Sequence, residues 1–353
     1  MVKQANSQMT AQLSGKALLG WRMLQWLFLA IGLTILSLLF FAPQIGIHAF
    51  WNGLIPVAPL LLVLLPGLWR NVCPLAFSAI LPHRIGLSAK KRLTVARQGK
   101  LILTGVILLM LILPWRHLVL DNNGPATGVV LILLGAMAFY MGTQYEWKSG
   151  WCSGMCPVHP VEKFYGSRPL APMPNAQCTS CHNCVIPCPD STKLLQPEKQ
   201  DNTRNHKLAA TLLIGGFPGY IWGWFHIRDY HGMEGLEHIL AAYTLPLAGM
   251  AFTLAVYLFL RKNSGIEKSL LTRIFAAAAV TCYYWYRLPE LIGFGIFPGD
   301  GMLVDLSGQV PNYLPFILQG AALLFFSWWL LWKPTPQTSW TIRPPFANRR
   351  KRL

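Results

Sequence analysis

The chain has 353 residues, 53% of them hydrophobic and only 12% charged, about half the charged fraction of an ordinary soluble domain. The net charge of +17, from 30 Lys+Arg against 13 Asp+Glu, would on a soluble protein point to nucleic acid or acidic partners. With so apolar a composition the distribution of charge matters more than its total, and a nucleic-acid surface is set aside.

Apolar runs near the ~20 residues needed to cross a bilayer occur at 23–42, 53–69, 101–120, 128–145, 208–225, 239–260, 270–287 and 313–332. The first is too long for the core of a signal peptide and lacks a convincing cleavage site, so it is read as an uncleaved helix. The seventh is the weakest, because its apolar stretch from Ile274 to Tyr286 lies between Arg273 and Arg287. A re-entrant segment is the alternative there.

With the N-terminus inside, segments 1–22, 70–100, 146–207, 261–273 and 333–353 carry 27 of the 30 basic residues. Arg116, Arg228 and Arg287 are the exceptions, and the opposite loops hold Asp121, Asp229, Glu234, Glu237, Glu290, Asp300 and Asp305. This is the positive-inside pattern. The tail Arg349-Arg350-Lys351-Arg352 also belongs inside, which favours an even number of spans. Trp and Tyr at span ends, such as Trp21, Trp115, Trp222 and Trp332, form the expected interfacial belts.

The division is then a four-helix membrane domain over 1–145 with a Cys-Pro loop at 70–100, a cytoplasmic segment over 146–207, a second four-helix membrane domain over 208–332 and a basic tail over 333–353.

Seven of the eight cysteines fall in the cytoplasmic segments, where thiols stay reduced and ligation of a cofactor is favoured over disulfides. Cys178-Thr-Ser-Cys181-His-Asn-Cys184-Val-Ile-Pro-Cys188-Pro189 has the C-x2-C-x2-C-x3-C-P spacing of bacterial ferredoxins. Three close thiolates on one loop can each reach a different iron of a cubane, while the fourth points to a second cluster. Zinc sites instead use two separated C-x2-C knuckles.

Upstream, Cys152-Ser-Gly-Met-Cys156-Pro157 repeats the back half of such a run. By the two-cluster pattern, Cys178, Cys181, Cys184 and Cys156 bind a first [4Fe–4S] cluster. Cys152, Cys188 and Cys73 are candidates for a second. Cys73-Pro74 belongs to a weak internal repeat, in which Trp69…Cys73-Pro74-Leu75 aligns with Cys152…Cys156-Pro157-Val158. Each copy follows an even-numbered span and runs on to Gly86 or Gly166. Cys73 can equally be a buried thiol at a helix end, and Cys282, alone in an aromatic-rich span, is read as packing. The segment 146–207 is too small for a good core of its own, so ligation would also supply its folding free energy.

The fold expected is thus an all-α polytopic membrane protein of about eight transmembrane helices with a small cytoplasmic ferredoxin-like iron–sulfur loop domain. On the outer side, His226, His231 and His238 lie within one short loop. Imidazoles so placed can ligate a metal or haem b, or take the proton of a quinol. They can also be ordinary polar residues of a wet loop. Arg287 and Glu290 are expected to pair nearby. CxxCH is absent, so covalent haem is not expected.

Several spans, a C-x3-C-P at a span end and a following ferredoxin run together resemble the membrane-bound ferredoxin-type proteins of bacterial respiration. That family is exemplified by the quinol dehydrogenase component of periplasmic nitrate reduction and the nitrous-oxide reductase regulator. The resemblance covers roughly 50–190. It implies quinol oxidation or cluster-mediated electron transfer at the bacterial inner membrane, with a redox partner protein and the quinone pool as partners. The family pattern has two C-x3-C-P loops and two ferredoxin runs. Here Trp69 stands where a leading Cys would be, only one run is complete, and four spans follow residue 207. The rival classes are a metal-handling assembly factor, such as a cluster-dependent copper reductase, and a redox-sensing regulator.

Overall fold

The computed structural model describes residues 14–171, 173, 176, 203–230 and 234–334. These residues are helical throughout, with no strand beyond one isolated bridge between Lys91 and Tyr145. In chain order the main helices are α1 Gly15–Phe41, α2 Pro43–Leu64, α3 Pro66–Val72, α4 Pro74–Arg84, α5 Val95–Ile112 and α6 Gly124–Gln144. They continue as α7 Val158–Tyr165, α8 Arg204–Phe225, α9 Ile239–Asn263, α10 Lys268–Leu291 and α11 Leu314–Trp332.

The boundaries have local causes. Ser14, Thr94, Asn123 and Thr203 cap α1, α5, α6 and α8 by accepting from backbone N–H groups in the first turn. Pro43, Pro66 and Pro74 open α2, α3 and α4, where a missing N–H costs nothing. Pro43 starts α2 ten residues before the expected span at 53, and Pro114 closes the turn after α5, which ends short of 120.

Seven of these helices, α1, α2, α5, α6, α8, α9 and α11, are long and apolar enough to cross a membrane. The expected seventh span falls on α10, a helix of 24 residues, about 36 Å long, which is not among these seven. It is less apolar because it carries Arg273, Arg287 and Glu290, and Arg287 and Glu290 are buried. It lies inside the bundle against α8 and α11, which explains why its sequence does not read as a lipid-facing span. Large apolar side chains such as Leu133, Phe252, Phe316 and Leu324 face outward from the neighbouring helices, as lipid contact requires.

Glycines let the helices touch. A Cβ on Gly219 would fall on the carbonyl of Gly249, and one on Gly249 on that of Gly219, so α8 and α9 pack backbone to backbone. Gly142 similarly admits the Ala79 carbonyl of α4 against α6. Gly219→Val should therefore destabilise the protein by about 1–3 kcal/mol through overpacking, read as a lowered unfolding midpoint by tryptophan fluorescence in detergent. Gly20→Ala, at a position with nothing within 4 Å, should leave the midpoint unchanged.

Candidate functional site

The cysteine end of the bundle is built twice on one plan. α3 stops at Cys73, whose φ −57° and ψ 121° are those of extended chain, and Pro74 starts α4. A π-helical turn, Trp151–Met155, stops at Cys156 with φ −66° and ψ 115°, and α7 follows Pro157. The residue before a proline is driven out of the α region, so each chain segment must break at the cysteine and restart after it. Each sulfur then faces the first free N–H groups of the next helix. Those of Leu75 and Ala76 reach Cys73, and those of Val158 and His159 reach Cys156. Such donors favour a thiolate.

The two units exchange partners. α4 packs on the end of α6, and past it the Ala89 N–H donates to the Thr143 carbonyl at 2.7 Å. α7 packs on the end of α2, and past it the Leu170 N–H donates to the Leu64 carbonyl at 2.7 Å. Each Cys-Pro helix thus covers the end of the other unit's span. The sequence repeat at Cys73 and Cys156 is a repeat of structure.

Cys73, Cys152 and Cys156 lie in this region, each half-buried. Cys152 and Cys156 pack with Met155 and Leu75 against Ala79, Met141 and Trp151. Cys73 lies near enough to Cys156 to oppose its ionisation electrostatically. Burial pushes the Cys156 thiol up to about 12 and raises that of Cys73, against the helix donors. Either sulfur is thus a poor free thiolate.

Cys178, Cys181, Cys184 and Cys188 lie outside the described residues. The chain leading to them does not. The Ala176 N–H donates to Asn71 Oδ1 at 3.0 Å, and Met173 packs where Gly67 lacks a side chain. The approach to the ferredoxin run is therefore fastened to α3 beside Cys73, and two residues of chain, at most ~7 Å, separate Ala176 from Cys178. Around this spot Arg70, Lys148 and Arg168 are buried at 7%, 1% and 4% exposure. Glu162 lies 3.8 Å from Arg70 and 3.5 Å from His159. Arg168 Nε and Nη1 have no hydrogen-bond partner among the described residues. Among those residues no three His, Cys, Asp or Glu side chains converge as a metal site. Cys282 is remote, packed in the core on α10.

At the far end of the bundle two of the three candidate histidines, His226 and His238, are described. α8 and α9 are close neighbours, yet His226 bonds to the Trp222 carbonyl and lies against Trp222 and Tyr286, while His238 is exposed and stacks on Tyr230. His231 lies outside the described residues. The buried histidine is His117, whose Nδ1 is 2.5 Å from Asp229 Oδ1. It sits in the π-helical turn Arg116–Leu120, inside a run that reads as span from composition.

Beside it Arg116, 1% exposed, lies between the rings of Trp51 and Trp224 at 5.6 and 5.0 Å and pairs with Asp121 at 3.4 Å. The expected Arg287–Glu290 pair is present at 2.6 Å, and Arg287 Nη2 also donates to the Trp51 carbonyl and to Asn52 Oδ1, both at 2.7 Å. Burial raises the Asp229 carboxyl above its ordinary range, with Arg116 opposing. No family model, curated protein or solved structure matches the chain.

Removing Arg287 would leave Glu290, Asn52 and the Trp51 carbonyl buried without their cation. Arg287→Met should cost about 3–5 kcal/mol, and Arg287→Lys less, as read from unfolding midpoints of the purified variants. Equal stability of Arg287→Met and the parent protein would contradict the network.

Proposed function

We propose that the protein is a membrane-bound iron–sulfur electron-transfer protein of the ferredoxin-type respiratory class, passing electrons between the quinone pool or a redox partner and [4Fe–4S] clusters. The observation that carries this reading is the fastening of Ala176 to Asn71. It holds Ala176, two residues before Cys178, against α3 beside Cys73, which supports a site shared by the run and the Cys-Pro helix starts.

The donor set fits such a group. A cubane held by four thiolates is anionic, and the buried Arg70, Lys148 and Arg168 supply the opposite charge where desolvated thiolates alone would be unfavourable. Cys178, Cys181, Cys184 and Cys156 would hold one cluster, and Cys152, Cys188 and Cys73 are the ligands at hand for a second. When bound, a cluster supplies one-electron transfer. The chain's own groups set its environment through N–H donors, burial and the cations. The same charge distribution that makes the 70–100 and 146–207 loops basic places this end, with both termini, on the cytoplasmic side of the inner membrane.

The assignment is tested by single substitutions on anaerobically purified protein. Cys181→Ala should abolish the first cluster, read as loss of its absorbance and reduced EPR signal. Cys73→Ala should reduce iron and sulfide by the share of the second cluster, and Cys282→Ala should change neither. Full iron and sulfide in Cys181→Ala would sink the assignment.

A further inference from the structure

One buried cation lacks the anion that the others have. Arg70 has Glu162 at 3.8 Å, Arg116 has Asp121 at 3.4 Å and Arg287 has Glu290 at 2.6 Å. Arg168 is 4% exposed, yet it makes no ion pair and no hydrogen bond among the described residues. Its Nε and Nη1 are enclosed without a partner, whereas Nη2 is not enclosed. A charge withdrawn from water in this way is unfavourable unless an opposite charge meets it.

The surroundings of Arg168 add cations rather than an anion. It follows α7, three residues past Tyr165. α7 packs on α10, and α10 packs on the last turn of α11, Trp328–Trp332. The first turns of α10 supply Arg273, and the residue after α11 is Lys333, both half-buried. Arg273 Nε donates to the Ser269 carbonyl one turn back at 3.4 Å, which lays the side chain toward the start of the helix. Lys333 Nζ lies over the Trp329 ring, 3.2 Å from its centre. Neither has a carboxylate in ion-pair range among the described residues. The three charges feel one another. Burial and the charge of Arg273 lower the Arg168 guanidinium, and burial and the charge of Arg168 lower the Lys333 ammonium. One anion among them would turn mutual repulsion into attraction.

Depth in the bilayer says which anion. α11 has membrane-crossing length and apolarity and ends at Trp332. Trp328 and Trp332 are 51% and 70% exposed, as rings at a membrane interface are. Lys333 therefore stands at the level of the lipid headgroups, where basic pockets between membrane helices take anionic lipid. An apolar groove between α10 and α11 begins at Ile274 and Leu331, beside these two cations, and gives an acyl chain a path.

We propose that Arg168, Arg273 and Lys333 form a site for the phosphate of an anionic phospholipid headgroup, with Arg168 Nη2 donating to a phosphate oxygen. The site draws nothing from the iron–sulfur reading.

The test uses the purified full chain in detergent, titrated with phosphatidylglycerol, phosphatidylcholine or inorganic phosphate. Binding is read by native mass spectrometry and by the unfolding midpoint. Phosphatidylglycerol should bind saturably and raise the midpoint. Arg168→Gln and Lys333→Gln should each weaken it about fivefold, the worth of one cation near a membrane surface. Lys262→Gln removes an exposed charge at the end of α9 and should leave binding unchanged. Without lipid, Arg168→Gln should unfold no earlier than the parent protein, because the charge removed has no partner. An earlier midpoint would show that Arg168 is paired within the protein and would overturn the site. Equal weakening by Lys262→Gln, which marks general attraction to basic loops, would overturn it too. So would binding of phosphatidylcholine or inorganic phosphate as tight as that of phosphatidylglycerol.

Discussion

Proline's steric demand on the residue before it governs the cysteine end of this protein. Cys73 and Cys156 do not continue the helices that deliver them, and each becomes the turning point between an arriving segment and a new helix that starts at or just after the next residue. The turn points each sulfur at unsatisfied N–H groups. It also aims each new helix across the end of the other unit's span, and that exchange binds the two halves of the N-terminal membrane domain together. The same corner gives Asn71 its position, and through Asn71 the chain that leads to the ferredoxin run. The candidate cluster site is thus a consequence of where two prolines fall.

Charge is buried at both ends of the bundle for different reasons. At the cysteine end Arg70, Lys148 and Arg168 are buried, with Glu162 beside Arg70. At the far end two buried arginines meet carboxylates, Arg116 with Asp121 and Arg287 with Glu290, while His117 shares a hydrogen bond with Asp229. The network ties α10 to the π-helical stretch of α2 through Asn52 and Trp51, across more than two hundred residues of chain. That tie explains how a helix carrying Arg287 and Glu290 holds its place inside a bundle of apolar helices. The ionic groups that weaken its hydropathy are the ones that anchor it.

Much of this was legible from the sequence. Seven spans follow from apolar runs alone, and the repeat at Cys73 and Cys156 is visible as matched Cys-Pro pairs. The Arg287–Glu290 pair was readable from its spacing on a helix. What local pattern could not give was long-range. Nothing near Asn71 announces Ala176, and nothing near Arg287 announces Asn52. His117 was hidden because it sits in an apolar run, where a single histidine does not interrupt the reading. Of the three clustered histidines, His226 and His238 are described. Each found an aromatic neighbour of its own. One signal did point to the buried network: Arg116 was one of only three basic residues that broke the positive-inside pattern.

The central claim is that thiols from two loops and the ferredoxin run meet to hold iron. It is tested most directly by iron and acid-labile sulfide content of the anaerobically purified full chain, with low-temperature EPR before and after dithionite. The account predicts at least four irons with matching sulfide and a reduced signal, as one [4Fe–4S] cluster requires, and about eight with spin coupling where Cys152, Cys188 and Cys73 hold a second. Zinc in place of iron, or neither metal, would contradict it.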